Sequence, residues 1–393
     1  MSQFTETTQV SLSARLKNAF KGIGLGISFI GIALYFLFWN EGNAVRTARA
    51  LDEGAGQVVS LDSATLDPTF EARLVHISGP VKLKEALVDA ALGVEAPAQT
   101  VRLERIVEQF AWIEETQTRT DTKLGGGQDK TTTYTYRMDW TETPASGAAF
   151  RVSEGHMNPP MPIRSKILRQ QDATVGAYRV SEEISDLGGA TPVILTETQA
   201  AEIAQALPLS QPAKLVAGQV VFGETVARPA LGDIRLRYQA ARIDSASVIG
   251  LQHGNALVPY TAQNGRKIHL LTEGIKTAEE MFETAQRANT AKTWMLRVGL
   301  LVLLFLGFKA LFGVVDVLAS ILPVLGWVSS SVTSLISVAL AFCLGGLTMA
   351  TAWFYYRPIL SLALIAVALA VGLVGALWLR SSAKHAPHPP GTT

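Results

Sequence analysis

Residues 298–379 read VGLLVLLFLGFKALFGVVDVLASILPVLGWVSSSVTSLISVALAFCLGGLTMATAWFYYRPILSLALIAVALAVGLVGALWL, and among these 82 residues only Lys309, Asp316 and Arg357 carry charge. A membrane-crossing helix takes about 20 apolar residues, because the hydrocarbon layer is about 30 Å thick and a helix rises about 1.5 Å per residue. The run suffices for three crossings. Turn chemistry at Pro323-Val324-Leu325-Gly326 and at Arg357-Pro358 divides it into spans near 298–320, 330–354 and 358–379. Outward toward the N-terminus, Gly22–Trp39 supplies 18 further residues without a charge. A cleaved signal peptide is the competing reading of that segment, but no small-residue cleavage site follows Phe38-Trp39-Asn40-Glu41, which favours an uncleaved anchor.

The whole chain agrees with a membrane residence: 393 residues, 48% hydrophobic and 17% charged, with a mean hydropathy of +0.24. Thirty-four Lys and Arg against 33 Asp and Glu leave a formal charge of +1, so no positive field is available to hold nucleic acid. The single cysteine, Cys343, excludes an intramolecular disulfide framework and a multi-thiolate zinc site. Trp39, Trp294, Trp327, Trp353 and Trp378 stand at span ends, where an indole keeps its N–H wet at the headgroup level. Four spans put both termini on one side and residues 40–293 on the other. Arg15, Lys17 and Lys21 before the first span, with Arg380 and Lys384 after the last, favour cytosolic termini: a tail at 1–21 and a disordered tail at 380–393.

Between the first two spans, residues 40–293 read as a β-rich α+β region, with Pro208–Pro212 as its best candidate internal boundary. Tyr134, Tyr136, Met138 and Trp140 alternate with Thr133, Thr135, Arg137 and Asp139, one face aromatic and one polar. Ile106–Glu115 can pair with that strand through a turn at Gly125-Gly126-Gly127. Further strands are expected at Arg73–Ile77, Ile234–Tyr238 and Ala256–Tyr260, the last joined through Asn264-Gly265 to Ile268–Leu271. Helices are expected at Lys84–Leu92 and Thr198–Leu207. Thr277-Ala278-Glu279-Glu280 has the form of a capping box, so the second span should begin as a stalk at Ala278 and run on through Arg297.

Collinear pieces of the chain resemble the LUMA family of membrane proteins, also called the transmembrane protein 43 family. They are Phe38-Trp39-Asn40-Glu41-Gly42, Leu51-Asp52-Glu53-Gly54, Arg73-Leu74-Val75-His76, Trp112 with Glu114-Glu115, Tyr134-Thr135-Tyr136 with Trp140, Gly155-His156-Met157-Asn158-Pro159, Gly232-Asp233-Ile234-Arg235, Lys292-Thr293-Trp294 and Tyr356-Arg357-Pro358. The resemblance implies four spans, cytosolic termini and a large lumenal domain. It also implies a role in organising membrane-protein complexes, in animal cells at the endoplasmic reticulum and inner nuclear membrane with lamins and emerin. In a bacterial chain the corresponding place is the cytoplasmic membrane with a periplasmic domain.

Gly125–Gly127 lacks the Lys-Ser/Thr of a phosphate loop, and His76, His156, His253 and His269 lack metal-ligand spacing, so no cofactor or metal is expected. Glu114-Glu115 and Glu182-Glu183 would point to opposite faces of strands and could not share one acid/base site. His156, Met157 and Asn158, on a loop stiffened by Pro159 and Pro160, form a candidate binding edge whose plainer reading is a rigid turn. Gly22 and Gly26 would let the first span approach a neighbour closely. Lys309 and Asp316, seven residues apart on one helix face and about 10.5 Å apart in rise, are a candidate intramembrane pair, with a bridging water or a partner on another span expected in place of direct contact. The expected function is a non-catalytic membrane-anchored scaffold whose partners are the bilayer, other membrane proteins and copies of itself, with no small-molecule substrate identified. The alternative is a channel or transporter component using Lys309 and Asp316.

Overall fold

A computed structural model of the chain describes residues 2–123, 125–321, 323–359 and 361–362, apart from the side chains of 323–329. The expected fourth span at 358–379, the 380–393 tail, the Trp327 side chain and Trp378 lie wholly or mostly outside the described residues. The chain forms two compact units: residues 1–10, 50–121 and 128–287 make the first, and residues 11–49, 122–127 and 288–393 the second. Pro208–Pro212 falls within the first.

The strands that build the first unit include, in chain order, β1 (Ser2–Val10), β2 (Leu74–Leu83), β3 (Thr100–Thr122), β4 (Gln128–Thr141), β5 (Ala173–Val175), β6 (Tyr178–Val180), β7 (Ala213–Val216), β8 (Gln219–Phe222), β9 (Ile234–Arg242), β10 (Ser245–His253) and β11 (Ala256–Val258). An eight-stranded sheet carries the order β1-β4-β3-β9-β8-β7, with Lys166–Arg169 added on β3 and Ala190–Val193 on β9. Period-two burial sets its register. Val101, Leu103 and Val107 on β3 and Ile234, Leu236 and Tyr238 on β9 point inward, and their neighbours are more exposed. The inward face packs on Ala200 and Ile203 of a short helix, α2 (Glu197–Ala206), which opens with a Thr196/Gln199 capping box.

In the second sheet, β10 pairs with β11, β11 with β6, β6 with β5, β5 with β2 and β2 again with β10, so five strands close on themselves and leave no free edge among them. Val75, Ile77, Val175, Tyr178, Val248 and Leu257 fill this small barrel. Beside it His76 is buried: its Nε2 lies 2.9 Å from the Lys276 carbonyl and its Nδ1 3.0 Å from the Ser60 hydroxyl. Burial holds its pKa below the ordinary histidine value, the carbonyl opposing this. The native imidazole is therefore neutral where an unfolded one, with a pKa of about 6.5, would take a proton. Its contribution is intact above that pH and is lost as pH falls through it. Melting temperature should thus fall more between pH 8 and pH 5 for the parent chain than for His76→Gln, and equal slopes would remove His76 as the cause.

Two expectations fail here. Lys84–Leu92 is not helical: Val88–Asp89 pairs with Val94–Glu95, and Asp89 faces inward to Arg105 and Tyr238. A buried ion pair overrides the local helical pattern. The N-terminal stretch is not a tail, because β1 pairs with β4 through nine residues, Ser2 opposite Tyr136 and Val10 opposite Gln128.

The second unit holds the apolar helices. The described helices α1 (Leu12–Gln57), α3 (Ala278–Ala319) and α4 (Pro323–Tyr356) are each long and apolar enough to cross a membrane, and a fourth is not shown. The 46 residues of α1 give about 69 Å of helix, far more than its apolar run needs. As expected, Glu280 and Thr277 cap α3, the backbone N–H of each residue bonding the other's side chain. Gly26 meets Gly307: a Cβ on Gly26 would stand 2.7 Å from the Gly307 carbonyl, so the small residues let α1 and α3 touch backbone to backbone. The turn at 122–127 belongs to this unit. Gly125 and Gly126 adopt φ of 85° and 79°, a conformation suited to glycine. The Gly125 N–H donates to the Ile321 carbonyl, and Arg15 donates to the Gly126 carbonyl and to Ser320 Oγ. The sequence reads this turn as the free tip of a domain hairpin, whereas its contacts are with the start of α1 and the residues that follow α3.

Candidate functional site

Within the second unit, Lys309 and Asp316 on α3 meet directly, Nζ to Oδ2 at 2.7 Å. This overturns the expectation that they would not touch. Lysine's extended stem, the Asp316 side chain and the contact between them together span the seven-residue rise, and α4 supplies the rest of the coordination. Thr333 Oγ1 accepts from Lys309 at 2.7 Å and donates to Asp316 Oδ1 at 2.7 Å, while the Ser330 carbonyl takes a further Lys309 proton at 3.0 Å. Every described partner is an oxygen of α3 or α4, so the charges join two helices. If they act as one unit, Lys309→Ala and Asp316→Ala should each lower membrane accumulation, and the double variant should be less damaged than the sum by a coupling of about 0.5–3 kcal/mol. Strict additivity would dissolve the pair.

A second charged cluster was not anticipated. Glu41 of α1 receives both arms of Arg297 from α3, at 2.6 and 2.7 Å, and the Trp353 indole N–H from α4 at 2.8 Å. The Arg297 guanidinium also lies 4.6 Å from the Trp294 ring centre and 5.8 Å from that of Trp353. One residue earlier on α1, Asn40 Nδ2 donates to the Thr293 carbonyl. Glu41 keeps 3% of its side chain exposed and Arg297 12%, so the pair is enclosed. The available signal was position: Glu41 stands two residues beyond the apolar run ending at Trp39, and Arg297 immediately before the run starting at Val298. Trp353 is thus engaged with a carboxylate, whereas Trp39 and Trp294 are exposed, 40% and 59%, as headgroup anchors would be.

In the first unit, the loop carrying His156, Met157 and Asn158 is braced internally. The His156 ring stacks on Tyr136 at 4.1 Å, meets Trp112 edge-on, and places Nδ1 3.0 Å from the Val152 carbonyl and Nε2 2.7 Å from Ser2 Oγ. Asn158 accepts from the Trp112 N–H and donates to the Trp112 and Ala145 carbonyls, replacing a ladder partner for β3. Met157 alone is substantially exposed, 55%. An open cleft of about 690 Å³ adjoins the loop, lined by Glu142, Pro144, Asn158, Pro160, Met161 and Arg164, a volume within the usual small-molecule range. Burial and a hydrogen bond to Glu114 raise the pKa of Tyr136 beneath His156. Glu114 bonds Tyr136 and Glu115 bonds Arg137, on opposite faces as expected. Glu183 lies in a 3₁₀ turn and not a strand, and meets His269. His253 pairs with Glu71, so the four central histidines have separate partners.

The profile of transmembrane protein 43 matches residues 109–358 of this chain. The chain belongs to the transmembrane protein 43 family. It is 29% identical to human transmembrane protein 43 over 386 residues, covering 94% of this chain and 92% of the relative. The rat protein is also 29% identical, over 373 residues, with 90% and 89% covered. The Drosophila melanogaster homolog is 27% identical over 354 residues, with 86% and 91% covered. No solved structure matches the chain. The stretch shared with the transmembrane protein 43 profile contains the 156–158 loop, Arg297, Lys309, Asp316 and Trp353, and Glu41 lies outside it. This is an integral membrane protein of the transmembrane protein 43 family, with apolar helices on both sides of a large β-rich region.

Proposed function

We propose that the chain is a non-catalytic scaffold that organises or stabilises membrane-protein complexes through its β-rich region and helix bundle. The observation that carries this reading is the bonding of the charges in and beside the spans: Lys309 is surrounded by Asp316, Ser330 and Thr333, and Arg297 by Glu41 and two indoles, which suits helices held in fixed register. Whole-chain likeness to transmembrane protein 43 supports it. On this reading the β-rich region lies in the periplasm of a bacterial source or in the lumen of a eukaryotic one, whereas the pairing of Ser2–Val10 with β4 counts against a free cytosolic N-terminal tail.

The second reading, a channel or transporter component, is favoured by one observation: Lys309 and Asp316 retain 25% and 19% side-chain exposure, so the described helices do not seal the pair completely. Affinity purification from gently solubilised membranes separates the two. The scaffold requires a reproducible membrane-protein partner whose accumulation falls when this chain is removed. Absence of any partner, together with ion flux in reconstituted vesicles that is abolished by Lys309→Ala, would replace it with the channel.

A further inference from the structure

Helix α1 ends at Gln57, and just beyond it Ser60 lies in parallel register beside His76 of β2. The Ser60 hydroxyl stands 3.0 Å from His76 Nδ1. The far side of the ring decides which of the two donates. Nε2 lies 2.9 Å from the Lys276 carbonyl, which can only accept, so Nε2 carries the proton and Nδ1 presents a lone pair. Ser60 therefore donates to Nδ1. Ser78 Oγ, 3.2 Å from Nε2 and 3.0 Å from the same carbonyl, braces that end of the ring, and Ser247 Oγ stands 2.7 Å from Ser78 Oγ. The imidazole is buried and burial keeps it neutral, whereas Ser60 is exposed.

Ser60 lines an open cleft of about 760 Å³. Leu51 of α1, Val58 just beyond it and Phe282 of α3 give the cleft an apolar wall, and Asp52 and Glu279 bring carboxylates to it. A free serine is a weak nucleophile because its hydroxyl keeps its proton at neutral pH, and a neutral imidazole that accepts this proton removes the obstacle. A hydroxyl, a base, a carbonyl that orients the base and room for an organic molecule thus stand together within the first unit.

We propose that Ser60, activated by His76, is an acyl-acceptor site that takes the acyl group of an uncharged carboxylic ester. Ser60 Oγ attacks the ester carbonyl carbon while its proton passes to His76 Nδ1. The carbon–oxygen bond to the alcohol then breaks, and the alcohol leaves with the proton that His76 held. The products are an acyl-serine and a free alcohol, with His76 neutral again. Throughout, Nε2–H stays on the Lys276 carbonyl, which holds the ring in its orientation. Ala278 and Glu279 on the cleft wall open α3, and N–H groups at the start of a helix have no acceptor within it, so they are the donors for the ester oxygen as it becomes anionic. The carboxylates of Asp52 and Glu279 disfavour an anionic ester, and the apolar wall receives an aliphatic acyl chain. This modification adds to the scaffold reading and does not depend on it, since one acyl group is carried per chain without turnover.

The test uses the full chain in mild detergent, with an uncharged alkynyl fatty-acyl p-nitrophenyl ester as probe. Peptide mass mapping should find the retained acyl group on Ser60. Ser60→Ala, a change at an exposed position, should abolish that label with the melting temperature unchanged. His76→Gln should slow labelling about 100-fold or more, the usual reach of a positioned base. An otherwise similar ester carrying a free carboxylate should react about 10-fold more slowly at low salt. Because His76→Gln also removes a buried hydrogen-bonding group, the parent chain supplies a second measure: Ser60 should label about 100-fold faster than any other serine of the same chain. Absence of label at Ser60, or similar rates at many serines, would overturn the inference. So would labelling of Ser60 at the parent rate in a folded His76→Gln chain. An equal rate with the anionic ester would overturn the assigned substrate class. Nitrophenol released in large excess over chain, dependent on Ser60 and with no acyl group retained, would overturn the acceptor role in favour of hydrolysis.

Discussion

Replacing Glu41 by alanine should be among the most damaging single changes in the helical unit. The substitution leaves the Arg297 guanidinium enclosed, without the carboxylate that accepts two of its N–H groups, and removes the acceptor of the Trp353 indole. Breaking an enclosed ion pair from one side costs about 3–5 kcal/mol, because the surviving charge has lost its water and gains nothing in return. The cation–π contacts of Arg297 with Trp294 and Trp353 remain and offset only part of that. The expected result is a several-fold fall in folded protein recovered from membranes and a clearly lower melting temperature in detergent. The double variant Glu41→Leu, Arg297→Met should recover much of the loss, since replacing both charges removes the unpaired one. Equal damage in the single and double variants would mean that packing volume, and not charge, holds the three helices here.

The β-rich unit has a counterpart in Asp89, Arg105 and Tyr238. Arg105 donates to Asp89 Oδ2 at 2.6 Å and the Tyr238 hydroxyl donates to the same oxygen at 2.7 Å, with Asp89 fully enclosed. Burial first, and the adjacent carboxylate second, push the Tyr238 pKa far up, so the phenol keeps its proton and remains a donor at any ordinary pH. Arg105→Ala strips the cation from a carboxylate with no access to water. A loss of about 3–5 kcal/mol is expected, against a total stability for a folded domain of about 5–15 kcal/mol. Denaturant titration of the full chain, followed by β-sheet circular dichroism, should show the β-rich unit unfolding at markedly lower denaturant. Asp89→Asn, which keeps an acceptor for Tyr238, should cost less than Arg105→Ala. An unchanged midpoint for Arg105→Ala would show that water reaches Asp89.

What can be read along the chain is whatever has a short period. The apolar runs announce α1, α3 and α4 because a lipid-facing helix must be apolar over its whole crossing. Alternation at 133–140 announces β4, and Thr277 with Glu280 announces the start of α3, because both signals are complete within one strand or one turn. Glycines 22 and 26 suggest a close helix contact, although only the fold names Gly307 as the facing residue.

Long-range pairing is a different matter. Ser2–Val10 has no apolar alternation to mark it as a strand; it becomes one because β4 presents an open ladder, and backbone hydrogen bonds are indifferent to side-chain identity. Glu41 and Arg297 are separated by 256 residues, and each alone reads as a charge flanking a span. Lys84–Leu92 has a helical pattern, yet the buried partnership of Asp89 with Arg105 and Tyr238 outweighs a propensity worth tenths of a kcal/mol per residue. By itself, then, the sequence determined that this is a membrane-spanning chain with a β-rich region between its apolar helices, because hydrophobic period is a local property. Which charges meet and what the N-terminal residues do were decided only by the tertiary structure, because those depend on groups far apart in the chain entering a low-dielectric interior together, where a charge or backbone polar group without a partner is too costly to keep.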